Sequence, residues 1–278
     1  MSFTTKLCFL ILIFQFSNTI ASCWPTAPSA TSAHFILAMG ANTGVLQKAN
    51  HDAQSFADAI SEHFEINKRY VCVLKNVKRW QFKNALKRLQ KLVRTQDKVF
   101  IYFSGHGTTM KDHDPDETDC LDEAFVTYSE PFVRDDEFVA WVNALKTNHV
   151  ITFIDSCFAS GMLRGEKGCP KGAKSKFWPW SNPKDEEEKL PSRFCPPKKF
   201  KTLKGTLYAA AKEHQLAWEY LQGSIFTNTF LRNLKLYPNT NLDKLFDITA
   251  KQVIEKTKDS ACKQEPQRWP KIEAIPKL

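Results

Sequence analysis

The 278-residue chain carries 39 lysines and arginines against 30 acids, a formal charge of +9 at neutral pH, with 42% hydrophobic and 25% charged residues. These values describe a globular chain long enough for one large domain or two small ones, and they exclude a disordered or collagen-like polymer. The basic excess favours anionic surfaces. Most of the basic residues, however, alternate with acids or crowd into one segment without interleaved aromatics, so nucleic acid is not an expected partner.

The chain opens as a targeting signal. Lys6 precedes the apolar run Leu7 to Phe14, and small residues lead to Ala21-Ser22, so residues 1–22 read as a cleaved signal peptide of a secreted or periplasmic protein. The run is too short to span a bilayer. A second reading takes Ile20-Ala21-Ser22-Cys23 as resembling a bacterial lipoprotein signal, with Cys23 as a lipid anchor and the only route to a membrane. Of the 8 cysteines, Cys8 lies in the signal and Cys157 is treated below. The even remainder suggests disulfides in an oxidising compartment, with Cys169 and Cys195 the expected pair because both lie in one loop. Cys72, inside an apolar strand, reads as a buried thiol instead. No pair has the Cys-x-x-Cys spacing of a zinc site.

After a linker at 23–33, strand and helix patterns alternate through 34–278. His34 to Met39 is a first apolar strand, and an amphipathic helix begins near Asp52. Residues 70–76 form a second strand, and Trp80 to Val93 form a helix whose lysines and arginines are its wet face. A third strand runs from Lys98 to the Ser104-Gly105-His106-Gly107 turn, residues 135–145 are helical, and a fourth apolar strand leads into Asp155-Ser156-Cys157. Residues 164–204 break the rhythm with twelve lysines and arginines, several prolines and no periodicity, and read as a long basic loop. A fifth strand over 206–211, helices over 224–234 and 242–258, and an ordered tail at Gln264 to Gln267 complete the chain. The alternation predicts an α/β fold with a mostly parallel central sheet and helices on both faces.

Two strand ends carry chemistry. If the third and fourth strands are parallel neighbours, their carboxyl ends bring His106 and Cys157 to one edge, where open α/β sheets place their sites. A thiol attacks carbonyl carbon best as thiolate, and an imidazole can take its proton and later protonate the leaving amine. The backbone N–H groups of Gly107 and Cys157 could hold the oxyanion. A cysteine that ends a buried strand is more often structural, but a histidine between two glycines marks backbone that something approaches closely. The separation, 157 − 106 = 51 residues, fits the caspase arrangement of a histidine about 50 residues before the nucleophile.

Ser104-Gly105-His106-Gly107, Asp155-Ser156-Cys157 and the intervening Asp119 to Ala124 resemble the caspase-like cysteine peptidases, closest to metacaspases and their bacterial relatives. Leu207 to Glu219 with Phe226-Thr227 resembles that family's small-subunit strand and helix, and Gln264 to Gln267 its terminal segment. The likeness runs in order from about His34 to Pro266 and implies a caspase-like sandwich: a large-subunit-like part at 34–163, the basic loop, and a small-subunit-like part at 205–278. It also implies a monomer acting on protein or peptide substrates. Where animal caspases have Gln-Ala-Cys and cut after aspartate, this chain has Asp155 two residues before Cys157. In metacaspases that acid lines the pocket for the residue before the scissile bond, together with a serine matching Ser104 and an aspartate matching Asp52. Two carboxylates there favour arginine or lysine and repel aspartate. Asp52 alone reads equally well as a first-turn acid of its helix.

The family often cleaves itself after the nucleophile, and a basic-specific enzyme would find many targets in 164–204; the plain alternative is a solvated lysine-rich loop. The acids between Asp112 and Glu123 partly match a calcium loop, but Glu117 stands where the turn glycine belongs and the flanks are not paired helices. The resemblance offers another calcium set at Asp119, Asp135 and Asp136, although the region of Arg164 and Gly165 replaces a fourth family ligand. No cofactor is required by the expected chemistry. The runner-up readings are a catalytically silent peptide-binding module and a legumain-like peptidase of other specificity.

Overall fold

The computed structural model describes residues 23–24, 32–111, 121–129, 132–157, 169, 172–179, 202–212, 215–258, 260 and 262–270. In chain order, the first half holds β1 (His34–Gly40), α1 (Ala49–His63), β2 (Val71–Lys75), α2 (Arg79–Leu92), β3 (Lys98–Ser104), β4 (Gly107–Lys111), β5 (Leu121–Phe125), β6 (Val133–Arg134), α3 (Asp135–Asn143) and β7 (Val150–Asp155). The second half holds β8 (Lys174–Ser175), β9 (Thr206–Ala209), β10 (Trp218–Tyr220), β11 (Gly223–Ser224), α4 (Ile225–Leu236), α5 (Leu242–Thr257) and β12 (Gln267–Trp269). The signal peptide, the acid-rich stretch 112–120 and most of the basic loop lie outside the described residues.

The central sheet has the order β12-β9-β7-β3-β1-β2. Pairing is parallel from β2 to β9, and β12 adds one antiparallel edge that begins at Gln267, the last residue of the expected tail. Successive strand residues point to opposite faces, and both faces of this sheet are covered, so β1, β3 and β7 are apolar almost without interruption. Phe35, Leu37, Met39, Val99, Ile101 and Phe103 face α2 and α3, where Phe82 packs against Phe103, Phe125 and Phe138 at 6.0, 5.7 and 5.9 Å between ring centres. Ile36, Ala38, Phe100, Tyr102 and Phe153 face α1, α4 and α5. There Phe153 lies between Phe56, Tyr208 and Phe230 at 4.9, 4.8 and 4.9 Å. This is the expected mixed, mostly parallel α/β architecture.

Two small sheets, absent from the expected pattern, frame the carboxyl edge: β4-β5-β6 and β11-β10-β8. Four of their strands, β6, β8, β10 and β11, are two or three residues long, too short for an alternating signature in the sequence.

The cysteines pair differently from expectation. Cys72 is buried as predicted but is bonded to Cys23. Trp24 explains the meeting: its indole is 1% exposed, donates to the Tyr70 carbonyl at 2.8 Å and packs edge-on to Phe35, which brings its neighbour onto β2. The start of the expected linker therefore belongs to the core. Cys169 is bonded to Cys262, 93 residues on, and not to Cys195, which lies outside the described residues. Nearness along one loop misled, because Cys169 lies against Ala173 and Trp218 beside the end of α5.

Candidate active site

The register of the sheet builds the site. Ser104 at the end of β3 is opposite Gly40 of β1 on one side and Asp155 of β7 on the other. The chain continues from these residues into His106 and Gly107, and into Ser156 and Cys157, at the same edge. The tip of β1 packs tightly on the start of α1, where a Cβ on Gly40 would come 2.5 Å from the Ala49 carbonyl oxygen. That approach brings the first turn of α1, with Asp52, over the strand ends. Asp52, Ser104, Asp155 and Cys157 are all fully buried, and His106 is 2% exposed.

The three polar residues expected to line one pocket do come together, and they surround a residue of the same chain. The Lys176 ammonium lies 2.9 Å from Asp155 Oδ1 and 3.7 Å from Asp52 Oδ2. It also donates to Ser104 Oγ at 2.9 Å and to the Asp155 carbonyl at 3.1 Å. An isolated ammonium would not enter such a place, because burial without partners costs many kcal/mol. Burial pulls the Lys176 pKa down, but Asp155 and Asp52 outweigh it and hold the group above the ordinary lysine value. Burial is also the main cause that raises Asp52 to about 6, against the downward pull of Lys176 and of hydrogen bonds from the Ser224 N–H and Ser104. Asp155 accepts from Thr227 Oγ1, which in turn meets Tyr102 Oη at 2.7 Å. Gly223, at φ +116, leaves room for Asp52, since a Cβ there would lie 2.4 Å from its Oδ1.

The backbone around Lys176 is held as an added strand. Lys174 and Ser175 pair antiparallel with Glu219 and Trp218. The Lys176 N–H donates to the Ala217 carbonyl at 3.0 Å, and the Lys176 carbonyl accepts from the Gly107 N–H at 2.8 Å. Beyond it, the Trp178 N–H returns to the Gly107 carbonyl at 2.8 Å, and Thr108 Oγ1 donates to the Trp178 carbonyl at 2.7 Å. Of the two N–H groups expected to share an oxyanion, Gly107 therefore contacts a carbonyl oxygen, whereas the Cys157 N–H makes no such bond among the described residues. Residues 174–178 cross the strand ends as an extended peptide with Lys176 fully buried, so at these residues the basic loop is not the solvated loop of the plain alternative.

Both members of the expected dyad lie beneath this peptide. The Cys157 thiol is pushed up to about 12, chiefly by burial, despite the Ala217 N–H that donates to it at 2.8 Å. His106 is lowered to about 4 by burial and by the positive charge of Lys176, with the Ser175 carbonyl acting the other way. With the peptide in place, thiol and imidazole are both neutral at neutral pH. The His106 ring is fixed by Thr43 Oγ1 at 2.7 Å from Nδ1 and by the edge of Trp178 at 5.3 Å.

Thr43 and Lys176 are site residues that the sequence did not single out, and Glu219 and Thr227 were quoted only within the stretch that resembles the small subunit, without a role in the site. Lys176 was one of twelve basic residues in an aperiodic loop, and Thr43 lies in a polar turn with no pattern. Asp135 and Asp136 open α3 as expected, but Asp119 lies outside the described residues. Among the described residues, no three His, Cys, Asp or Glu side chains are placed to hold a metal ion.

Known proteins can be set beside this geometry. A structure from Geobacter sulfurreducens is similar with a TM-score of 0.61 at 20% identity, over 85% of this chain and 92% of that one. Caspase-1 of Spodoptera frugiperda is similar with a TM-score of 0.52 at 12% identity, over 85% and 86%. At such identities the two speak for the fold. No curated protein matches the sequence significantly. The family model described as the caspase domain matches residues 34–272. The chain thus belongs to the caspase-domain family of cysteine peptidases, which act on protein substrates.

Proposed function

We propose that this protein is an exported cysteine endopeptidase that cuts after lysine or arginine and processes itself after Lys176. One observation carries the reading: a lysine lies in the pocket of Asp52, Ser104 and Asp155 while its own carbonyl accepts from Gly107. That is how a substrate residue would present the bond that follows it.

The chemistry follows from the groups present. As the peptide shifts and water enters, Cys157 gives its proton to His106, and the thiolate attacks the carbonyl carbon of the pocketed residue. The carbonyl oxygen becomes an oxyanion on the Gly107 N–H, joined by the Cys157 N–H. The C–N bond breaks as His106 protonates the amine, and water, deprotonated by His106, then hydrolyses the thioester and restores the thiol. Thr43 holds the imidazole in place through these transfers. This chemistry needs no metal. Calcium held through Asp119, Asp135 and Asp136 is a separate proposal: addition of calcium to EDTA-treated enzyme should raise activity, and no change opposes it.

The same peptide makes the uncut enzyme latent, since it covers the thiol and occupies the pocket. The Cys169–Cys262 bridge spans the cut, with one cysteine before Lys176 and the other after it, so both pieces stay joined until reduction. Two disulfides support export, and the Cys23–Cys72 bridge uses the thiol that a lipid anchor would need. The protein is read as a monomer with no nucleic-acid partner. No helix among the described residues is long and apolar enough to cross a membrane.

A silent binding module is the second reading, and the observation in its favour is that Cys157 and His106 are both buried, the thiol bonded to the Ala217 backbone and the imidazole to Thr43. Reporter peptides ending in Arg, Lys, Asn or Asp separate the readings. Cleavage of the Arg and Lys reporters, lost in Cys157→Ala and reduced about 30-fold or more in Asp155→Asn, is expected from removal of one partner of a buried charge pair. Cleavage of the Asn reporter alone would point to a legumain-like enzyme, and no cleavage at all to the binding module. Latency is tested apart from turnover. In a His106→Ala background, iodoacetamide should label Cys157 slowly at pH 8. Adding Lys176→Glu, which sets a third carboxylate against the other two, should speed labelling about tenfold or more. Equally fast labelling in both proteins contradicts occlusion.

A further inference from the structure

We infer that substrates carry a second basic residue two places before the one that enters the pocket, and that Glu219 reads it. The inference rests on the proposal that residues 174–178 lie as a substrate lies.

In an extended strand, residues i and i+2 share a face, about 7 Å apart. Lys174 and Lys176 do so here. Lys174 is opposite Glu219 in the antiparallel register, and its ammonium lies 3.6 Å from Glu219 Oε1. The Glu219 side chain is fully buried, whereas Lys174 keeps 28% of its side chain exposed. A buried carboxylate thus waits at the edge of the cleft, and the incoming cation reaches it from solvent. Its position is fixed: Oε1 accepts the Gln47 N–H and Oε2 the Lys48 N–H, both at 2.9 Å, in the turn before α1. Because Asp52 lies in the next helical turn, Glu219, Asp52 and Asp155 make one acidic wall on a protein whose formal charge is +9. Lys176 also feels Glu219 as one of the charges that raise its pKa. The side chain between the two lysines does not meet this wall: Ser175 Oγ accepts the Phe177 N–H at 3.1 Å. The wall therefore reads a pattern of Lys/Arg, any residue, Lys/Arg, with the cut after the second basic residue.

Within residues 164–204 that pattern occurs at Lys174-Ser175-Lys176 and at Lys199-Phe200-Lys201. Lys201 is thus the second self-processing site that the inference names.

Because Lys174 is part-exposed, its pair with Glu219 should contribute a preference and not an absolute requirement. Three reporters distinguish the outcomes: Lys-Ser-Arg, Ala-Ser-Arg and Glu-Ser-Arg, each with a fluorogenic leaving group. The processed enzyme should show kcat/KM about three- to tenfold lower for Ala than for Lys, and lower again for Glu. Glu219→Gln should bring the Lys-to-Ala ratio close to one. Equal rates across the series in the unmodified enzyme overturn the inference while leaving cleavage after arginine intact. A Glu219→Gln protein that slows all three reporters by one factor also overturns it, because that is the signature of a residue that only holds the Gln47–Lys48 turn. Should that variant not fold, the series on the unmodified enzyme is sufficient to uphold or overturn the preference. Failure to cut any Arg reporter would remove the underlying proposal and this inference together.

Discussion

A single ammonium group, that of Lys176, sits fully buried between the carboxylates of Asp155 and Asp52, and much of the cleft is arranged around that contact. Desolvation of one cation and two anions is costly, and mutual attraction offsets it only where geometry is close and the remaining valences are bonded. Here the hydroxyl of Ser104, the carbonyl of Asp155 and the hydroxyl of Thr227 supply those bonds. The contact fixes the register of residues 174–178. That register sets the carbonyl on Gly107, covers Cys157 and His106, and leaves both neutral.

The fold makes such a contact available because parallel strands end together. Asp155, Ser104 and Gly40 are register partners across β7, β3 and β1, and the tight approach of Gly40 to Ala49 brings Asp52 to the same place. The small strands β4 and β10 then offer backbone groups on either side of the peptide. The pocket supplies charge and the strand edges supply direction, a division common where extended peptides add to a sheet.

Much of this was legible in the sequence. Apolar runs on β1, β3 and β7, the amphipathic patterns of α1 and α2, and the glycines around His106 were strong local signals, and the structure bears out the first two. Asp52, Ser104 and Asp155 were named through family resemblance, and the structure brings them together. What stayed hidden depends on contacts between distant segments. The Cys23–Cys72 and Cys169–Cys262 bridges, the meeting of Thr43 with His106, and the choice of Lys176 among twelve basic residues are set by three-dimensional register, which leaves no period in the chain. Strands of two or three residues are hidden for the same reason.

The central claim is that residues 174–178 occupy the cleft as a substrate does. The most direct measurement is the intact mass of the purified protein and of Cys157→Ala, before and after reduction. The account predicts that the first cut adds one water and leaves the active protein in one piece until reduction, which then separates chains of which the second begins at Phe177, while Cys157→Ala remains uncut. An active enzyme whose chain stays whole, or whose first cut falls elsewhere than after Lys176, would contradict it.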